Sequence, residues 1–548
     1  MFLKNNIFFL LFLFLFYQPL YSQSVITDGE KMESLCKIWG FLKYYHPEVS
    51  RGKYDWDQQL VSKIPVLLKL NTEEEINDFY INWINSLGEI NKSEVKEDNS
   101  KQYFDKNFNL DWISNTNFSE NLVEKLKYIE THRNTKNQFY VAQKKSIGNV
   151  IIKNEDNNAN IKFPQLEYKL LDLFRFWNII EYFYPHKYLM DHSWDSVLVE
   201  AIPEFIDVQD IKSYHMLLLK LISKLDDSHS FFSSQHTNEY FGYYWVPFQF
   251  KIIDDKVVIS DYYNETLAKR DGLEIGDVIL QINEIPISKL LEKNFKFIPA
   301  SNIAVKKRDA YFALFNGNSD NVMIELEKDG KKITKKINRY KFSEFNYKQK
   351  ISSDKWHILE NNIGYINLGN IKPNEVDEAM EALWNTKSII LDLRNGALDI
   401  YGIGKYFKPE RSIFLKIIKP DISYPGKFVL DEEKFCCQKS KKIYLGKVVI
   451  LVNENVQSHG EYTCMVLQSG KNVTTIGNQS AGADGQVSIV PFLDNLKTSF
   501  TGVAYFYPDG TQTQRTGVKI DITVNPSVAG IKDGIDEILQ SAIEYLDK

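Results

Sequence analysis

The stretch Val448-Val-Ile-Leu-Val-Asn-Glu-Asn-Val-Gln-Ser-His-Gly-Glu461 decides how the C-terminal part of this chain folds. Its apolar run from 448 to 452 is typical of a parallel strand that is buried on both faces. Polar residues follow, and Ser458 then opens a segment with helical spacing of apolar side chains. A serine at such a strand-to-helix junction has two interpretations. It is a plain helix N-cap, or it is a nucleophile with its hydroxyl exposed beside unpaired helix amides.

Four further segments of the chain bear on the interpretation of this stretch. Together with the serine stretch they resemble the carboxyl-terminal processing and tricorn serine peptidases over residues 170–545, and they occur in the order that this family has. They are the histidine motif Leu225-Asp-Asp-Ser-His-Ser230, the PDZ-like Gly272-Leu-Glu-Ile-Gly-Asp-Val-Ile-Leu-Gln-Ile-Asn283, the core segment Ile476-Gly-Asn-Gln-Ser-Ala-Gly-Ala-Asp-Gly-Gln-Val487, and Thr516-Gly-Val-Lys-Ile-Asp521 followed by Val524. In the last segment, Ile520 stands where the family has proline.

The fold class that follows is a multidomain α/β protein. Its expected parts are a helical N-terminal region with an internal repeat, a PDZ-like β domain, and a catalytic α/β domain similar to ClpP and crotonase. The expected bounds are 23–165 for the N-terminal region with the first helical repeat, 166–238 for the second repeat ending in the histidine motif, 239–340 for the PDZ-like domain and 341–548 for the catalytic domain. Alternation of strand and helix patterns in the last part supports an α/β domain independently of the resemblance.

The internal repeat is visible as residues that recur at a constant offset along the chain. Both copies predict a helix, a Tyr/Pro turn and a further helix. Only the second copy ends in the Asp-Ser-His motif, so we expect the first copy to be structural. The recurring residues are Leu35, Trp39, Tyr44, Pro47, Trp56, Asp57, Ile64 and Pro65, matched by Leu173, Trp177, Tyr182, Pro185, Trp194, Asp195, Ile202 and Pro203.

Composition restricts the class of protein. A hydrophobic content of 43% and a charged content of 25% are ordinary globular values. The net charge of -6 gives no basic footprint for nucleic acid. Four cysteines are too few for a disulfide framework, and neither they nor the histidines have metal-ligand spacing. We therefore expect no metal, no cofactor and no nucleic-acid partner. The resemblance implies a peptide or protein as the substrate.

The first 22 residues have the pattern of a secretory signal peptide. Lys4 precedes the apolar run 7–16, and the small residue Ser22 precedes Gln23. A membrane anchor is the alternative, but a span needs about 20 apolar residues. No later segment is long and apolar enough to span a membrane. We expect an exported protein, periplasmic or secreted. The oligomeric state and the physiological substrate stay open.

The resemblance assigns the base to a histidine. Bacterial members often use a lysine, but Ala483 and Asp484 occupy the matching positions here. His229 matches the histidine of the tricorn branch, and its unperturbed pKa near 6.5 suits a general base. Ser228 would orient the imidazole. Without the resemblance, His229 would be interpreted as a helix-end or surface residue.

The resemblance also assigns the residues that would hold the oxyanion and support the base. The backbone N–H of His459 matches one oxyanion donor, and Gly396, in the loop after the strand 389–393, is the candidate for the other. Gln514 stands nearest to a supporting glutamate of the tricorn branch but carries no charge. Glu461 is the alternative acid, although a carboxylate in the first turn of a helix is also favoured by the helix dipole.

The PDZ-like segment implies that a peptide is captured by strand addition. The expected binding loop consists of Tyr243, Tyr244, Trp245 and Val246. These assignments together predict an exported serine endopeptidase that acts through a Ser/His acyl-enzyme mechanism. The alternative is a non-catalytic protein of the same fold that binds a peptide or ligand, as the retinoid-binding proteins of the vertebrate retina do.

Overall fold

The computed structural model describes residues 26–90, 94–96, 98–114, 117–155, 163–328, 330–345, 354–396, 399–408, 410–436 and 442–548. The signal peptide expected over residues 1–22 lies outside these ranges. The described chain is a mixed α/β protein with a helical part, an antiparallel sheet and a mostly parallel sheet. None of its helices is long and apolar enough to cross a membrane.

The helical part comes first in the chain. Its helices pack around one large apolar core that is rich in aromatic side chains. The helices are α1 (Asp28–Tyr45), α2 (Pro47–Ser50), α3 (Trp56–Leu67), α4 (Glu73–Ser86), α5 (Glu120–Thr131), α6 (Leu166–Phe183), α7 (Trp194–Asp207), α8 (Ile211–Ser223) and α9 (Gln235–Phe241), accompanied by the ribbon of β1 (Val141–Gln143) and β2 (Val150–Ile152).

Two pairs of tryptophans make the same contacts at both copies of the repeated pattern. The indole N–H of Trp39 donates to the carbonyl of Trp56 at 3.0 Å, and the indole of Trp56 donates back to Trp39 at 3.1 Å. Trp177 and Trp194 exchange the same two bonds at 2.9 Å. Each pair fastens the helix before the Tyr/Pro turn to the helix after it, since a buried indole N–H needs an acceptor.

The antiparallel sheet follows. Its strand order is β4-β5-β6-β8-β9, so that β4 lies at an edge. The strands are β4 (Phe248–Ile253), β5 (Lys256–Tyr262), β6 (Val278–Ile282), β7 (Ile285–Pro286), β8 (Asn321–Lys328) and β9 (Lys331–Asn338). They are joined by α10 (Glu265–Arg270), α11 (Ile287–Asn294), α12 (Ile303–Asp309) and α13 (Tyr311–Phe315) and flanked by β3 (Tyr244–Trp245) paired with β10 (Tyr340–Lys341). β4 and β5 form a hairpin with its turn at Asp254 and Asp255, and β8 and β9 form a second hairpin.

A second six-stranded sheet contains the predicted buried strand. Its order is β11-β12-β13-β16-β17-β21, parallel except for β11. The strands are β11 (Trp356–Leu359), β12 (Ile363–Asn367), β13 (Ser388–Asp392), β16 (Lys447–Val452), β17 (Val473–Gly477) and β21 (Ile522–Thr523), and the helices are α14 (Val376–Ala382), α15 (His459–Gln468), α16 (Val528–Asp533) and α17 (Glu537–Asp547).

Burial on both faces explains why β16 is continuously apolar. Val448, Ile450 and Val452 belong to the core on one face. Val449 and Leu451 point into the core on the other face, which α17 covers. The smaller sheets beside it are β14 (Ser412–Pro420) with β15 (Phe428–Cys436) and β20 (Ala504–Phe506), and the ribbon of β18 (Val487–Pro491) with β19 (Lys497–Thr501).

The segment that follows Asp399 is a 3-10 helix over Tyr401–Tyr406 rather than an α-helix. Gly402 and Gly404 lie within it, and glycine destabilises an α-helix by about 1 kcal/mol per residue relative to alanine.

We predict that Trp39→Ala lowers the free energy of unfolding by about 3–5 kcal/mol, because the ring is fully buried. Trp39→Phe should lower the free energy of unfolding by less, because it keeps a buried aromatic ring. Its remaining cost is the lost hydrogen bond to Trp56. The measurement is the urea midpoint of both variants. Equal stability of wild type and Trp39→Ala would contradict the structural role of this pair.

Candidate active site

Ser458 lies at the turn between β16 and α15 in an unusual backbone conformation. Its φ is 53° and its ψ is −115°, a combination that costs a non-glycine residue energy and persists only where neighbours enforce it. The neighbours do so here, because the N–H of Ser458 donates to the carbonyl of Ala483 at 3.1 Å and lies 3.3 Å from Glu461 Oε2. A sharp strand-to-helix turn of this kind presents the side chain at the helix N-terminus.

Glu461 fastens a second loop to this turn. The side chain is fully buried and accepts hydrogen bonds from Ser480 Oγ at 2.6 Å, Gly482 N at 2.8 Å and Ala483 N at 3.0 Å. Burial raises the pKa of Glu461, and these hydrogen bonds oppose that shift. Every hydrogen bond that the Glu461 carboxylate makes in the described chain thus goes to the loop or to Ser458, and none goes to His229.

His229 follows the end of α8 and has its ring nitrogens in different environments. Nδ1 lies 2.8 Å from Thr501 Oγ1, and that hydroxyl donates to Asp227 Oδ1 at 2.9 Å. Because the carboxylate can only accept, the single hydroxyl hydrogen of Thr501 points to Asp227, so Nδ1 must carry the hydrogen that it shares with Thr501. Nε2 then has a free lone pair. It is buried and has no hydrogen-bond partner among the described residues.

One hydrogen bond joins the serine and histidine segments. Gln457 Nε2 donates to the carbonyl of Ser228 at 2.9 Å, so the residues directly before Ser458 and before His229 are in contact. Burial lowers the pKa of His229, the charge of Asp227 opposes this shift, and nearby His459 adds to it. The imidazole is therefore neutral near neutral pH, which is the form that can accept a proton.

The histidine segment lies along β19 and is fixed there by side-chain hydrogen bonds. Ser499 Oγ donates to the carbonyl of His229 at 2.5 Å, and Ser230 Oγ donates to the carbonyl of Ser499 at 2.8 Å. Thr498 Oγ1 donates to the carbonyl of Phe231 at 2.7 Å. The ribbon of β18 and β19 thereby sets the position of the imidazole.

Two side chains expected to support the site make other contacts. Ser228 Oγ donates to the carbonyl of Ala481 at 3.1 Å and accepts from Ser301 N at 2.8 Å, and Thr501 takes the place beside the ring that was expected for Ser228. Gln514 is buried and its Nε2 lies 3.3 Å from Asp227 Oδ1. In the described chain, neither side chain bonds to the ring of His229.

The N–H groups of the two expected oxyanion donors differ in whether they already have a hydrogen-bond acceptor. Within the described ranges the N–H of His459, at the start of α15, has no hydrogen-bond acceptor, and its side chain is exposed with Nδ1 3.4 Å from Asp399. The N–H of Gly396 instead closes a turn by donating to the carbonyl of Leu393 at 3.0 Å. In this conformation the Gly396 amide is not free to bind an oxyanion, which corrects the expectation for that residue.

Part of the expected peptide-binding loop is already hydrogen-bonded or buried within the protein. Tyr244 and Gly317 exchange backbone hydrogen bonds at 3.0 and 3.2 Å, and Val246 is buried. Tyr243 and Trp245 line a cavity of about 860 Å³. The walls of this cavity also include Ser230, Phe231 and Phe232, which directly follow His229.

Sequence reasoning missed Asp227 and Thr501 as neighbours of the imidazole. Asp227 was visible in the histidine motif, two positions before His229. Thr501 gave no local signal, because it lies 272 residues from His229 in the chain. The described residues contain no group of three or more His, Cys, Asp or Glu side chains arranged to hold a metal ion.

Known proteins resemble this chain in part of its sequence and in its fold. A carboxy-terminal-processing protease of Bartonella bacilliformis is 30% identical over 92 residues, which is 17% of this chain and only 21% of the length of that relative. The structure of mature CPAF complexed with lactacystin has a TM-score of 0.54 at 13% identity and covers 70% of this chain and 97% of that one. Mature CPAF alone gives 0.53 at 12% identity, with 70% and 96% covered. At such identities the likeness concerns the fold.

The match to a family model is confined to the parallel sheet and its surroundings, and it includes Ser458 and the loop that Glu461 holds. Residues 362–524 match the model of Peptidase family S41, so this part of the chain is a domain similar to serine-type peptidases of that family.

Proposed function

We propose that this protein is a serine peptidase that cleaves peptides or proteins through an acyl-enzyme, with Ser458 as nucleophile and His229 as general base. The observation that carries the proposal is the pair of hydrogen bonds from His229 Nδ1 to Thr501 and from Thr501 to Asp227, from which the tautomer of His229 follows. Its Nδ1–H is occupied by Thr501, and its Nε2 is unprotonated and unpaired within the described chain. The contact between Gln457 and Ser228 keeps this nitrogen in the neighbourhood of the serine turn.

The reaction follows from these positions. Nε2 of His229 takes the proton of Ser458 as Oγ attacks the scissile carbonyl. The oxygen that becomes negative is stabilised at the N-terminus of α15, where the N–H of His459 is unpaired in the described structure. The imidazolium then returns its proton to the leaving amine, and water hydrolyses the acyl-enzyme by the reverse proton transfers.

Peptide binding would use the open edge of β4. A cavity of about 710 Å³ runs from this strand past residues 303–311 to Glu454, Asn455 and Gln479, which lie close to the serine turn. Lys251 on β4 pairs with Glu454 at 2.6 Å. A peptide added as a strand along β4 would therefore be directed towards Ser458. This is the basis for proposing a PDZ-like domain over residues 239–340.

The remaining assignments stand as proposals on the sequence patterns. The two helical segments, 23–165 and 166–238, are related copies, supported by the matching tryptophan pairs. Residues 341–548 form the catalytic domain. The protein is exported to the periplasm or secreted, with residues 1–22 as its signal.

Peptide binding without cleavage is the second candidate function. Two observations favour it: the N–H of Gly396 is occupied by Leu393, and uncharged Gln514 stands where the tricorn branch has a glutamate. The two candidates differ in the reactivity of Ser458, since a serine without an effective base does not react with a fluorophosphonate.

We predict that a fluorophosphonate probe labels the wild-type protein and that Ser458→Ala abolishes labelling while the melting temperature stays nearly unchanged. A helix-capping serine would behave in the opposite way and cost about 1 kcal/mol of stability. The matched control is Ser469→Ala, at the other end of α15, which should label normally. Labelling that survives Ser458→Ala, or is absent from wild type, would contradict the assignment.

A pH profile tests the base. Since burial lowers the pKa of His229, labelling should rise through an apparent pKa at or below the usual value of about 6.5 and stay high above it. The sign follows because only the neutral imidazole accepts a proton. His229→Ala should lose most of the rate, whereas His459→Ala should lose little because only its backbone is used. A rise centred above about pH 8.5 that persists in His229→Ala would instead indicate a base of the lysine type.

A further inference from the structure

The carboxylate of Asp227 is buried, and none of the described residues gives it a cationic partner. It is fully enclosed, and within the described chain no lysine or arginine lies within ion-pair distance of it. Four donors surround it instead: His229 N at 3.0 Å, Thr501 N at 2.6 Å, Thr501 Oγ1 at 2.9 Å and Gln514 Nε2 at 3.3 Å. A buried carboxylate that accepts only from neutral donors keeps its charge available to a cation that forms nearby.

The cation that can form there is the imidazolium of His229. Its ring has no direct carboxylate partner in the described structure, because Thr501 Oγ1 occupies Nδ1. The hydroxyl accepts from Nδ1–H and donates to Asp227, so the two bonds, of 2.8 and 2.9 Å, run in the same direction. Chains of hydrogen bonds with this common direction polarise one another.

We propose that Thr501 and Asp227 are the positioning residues of the catalytic base, with the Thr501 hydroxyl relaying the charge of Asp227 to Nδ1 of His229. This inference rests on the proposed function and names the acid that it lacks. No proton travels along the relay. The proton of Ser458 Oγ goes to Nε2, Nδ1–H stays bonded to Thr501, and the hydroxyl hydrogen stays on Thr501 and points to Asp227.

The relay explains why Glu461 and Gln514, which were expected to support the base, make other contacts. Glu461 is committed to Ser480, Gly482 and Ala483. Gln514 contacts Asp227 rather than the ring, and as an amide it needs no charge to act as one more donor to that carboxylate. An aspartate held two positions before the histidine thus replaces an acid from elsewhere in the chain.

The test compares three threonine variants by the rate of fluorophosphonate labelling. Thr501→Val keeps the shape of the side chain and the backbone N–H bond to Asp227 but removes the relay. We expect it to lose about 10²-fold in rate, within the range for a general base, and Thr501→Ser to recover most of it. Thr386→Val is the matched control, since it removes a buried threonine hydroxyl that donates to the carbonyl of Leu383 at 2.7 Å, outside the site. It should keep the rate even if it is destabilised.

The pH profile separates a relay from a structural role. Without the hydroxyl the imidazolium loses its support, so the midpoint of the rise should move to lower pH in Thr501→Val and return in Thr501→Ser. The other charged and titratable groups near the ring are His459 and His186, and both are unchanged in these variants. A rate that falls only with the fraction of folded protein, at an unchanged midpoint, would overturn the relay.

Two further measurements keep the outcomes distinct. If Thr501→Val does not fold, Thr501→Ala against Thr501→Ser makes the same comparison with a smaller side chain. His229→Ala decides the premise. Wild-type labelling that depends on His229 but not on the Thr501 hydroxyl would overturn the relay alone, whereas labelling independent of His229 would overturn the proposed function and the relay together.

Discussion

The attachment of the histidine segment to β19 is the constraint on which the site depends. Ser458 belongs to the parallel sheet, but His229 comes from the end of the helical part, so no local turn brings them together. Asp227 accepts from the backbone and the hydroxyl of Thr501, and Ser499 donates to the backbone of His229. These bonds join two regions that are distant in sequence, and they are enclosed from water, where each hydrogen bond is stronger and each loss more costly.

Other buried polar contacts also join the helical part to the C-terminal part of the chain. The hydroxyl of Tyr45 donates to the carbonyl of Pro425 at 2.5 Å, and Gly426 N donates to the carbonyl of Tyr182. Asp172 accepts from Leu493 N at 3.0 Å, and burial raises its pKa to about 6. These contacts fix the helical part in one orientation, which an apolar surface alone would specify less sharply.

Local patterns were sufficient for most elements, whereas Ser458 and His229 were assigned through the order of motifs that resembles a peptidase family. The apolar run at 448–452 and the residues after it predicted a buried strand and a strand-to-helix junction at Ser458, because side-chain period and burial are properties of a short segment. The contacts of Thr501 could not be predicted in this way, since they depend on how a distant ribbon docks. The hydrogen bond from the N–H of Gly396 to Leu393 could not be predicted either, because it depends on backbone dihedrals, which one sequence does not reveal.

The split origin of the serine and the histidine has a consequence for the life of the chain. Ser458 and its loop are complete within the parallel sheet, yet the proton acceptor arrives only when the helical part has docked on β19. Under the proposed mechanism, a chain whose helical part has not docked on β19 has a serine without its base. Separation of the two parts would then stop the reaction even if each part stayed folded, so activity would report on the docking itself.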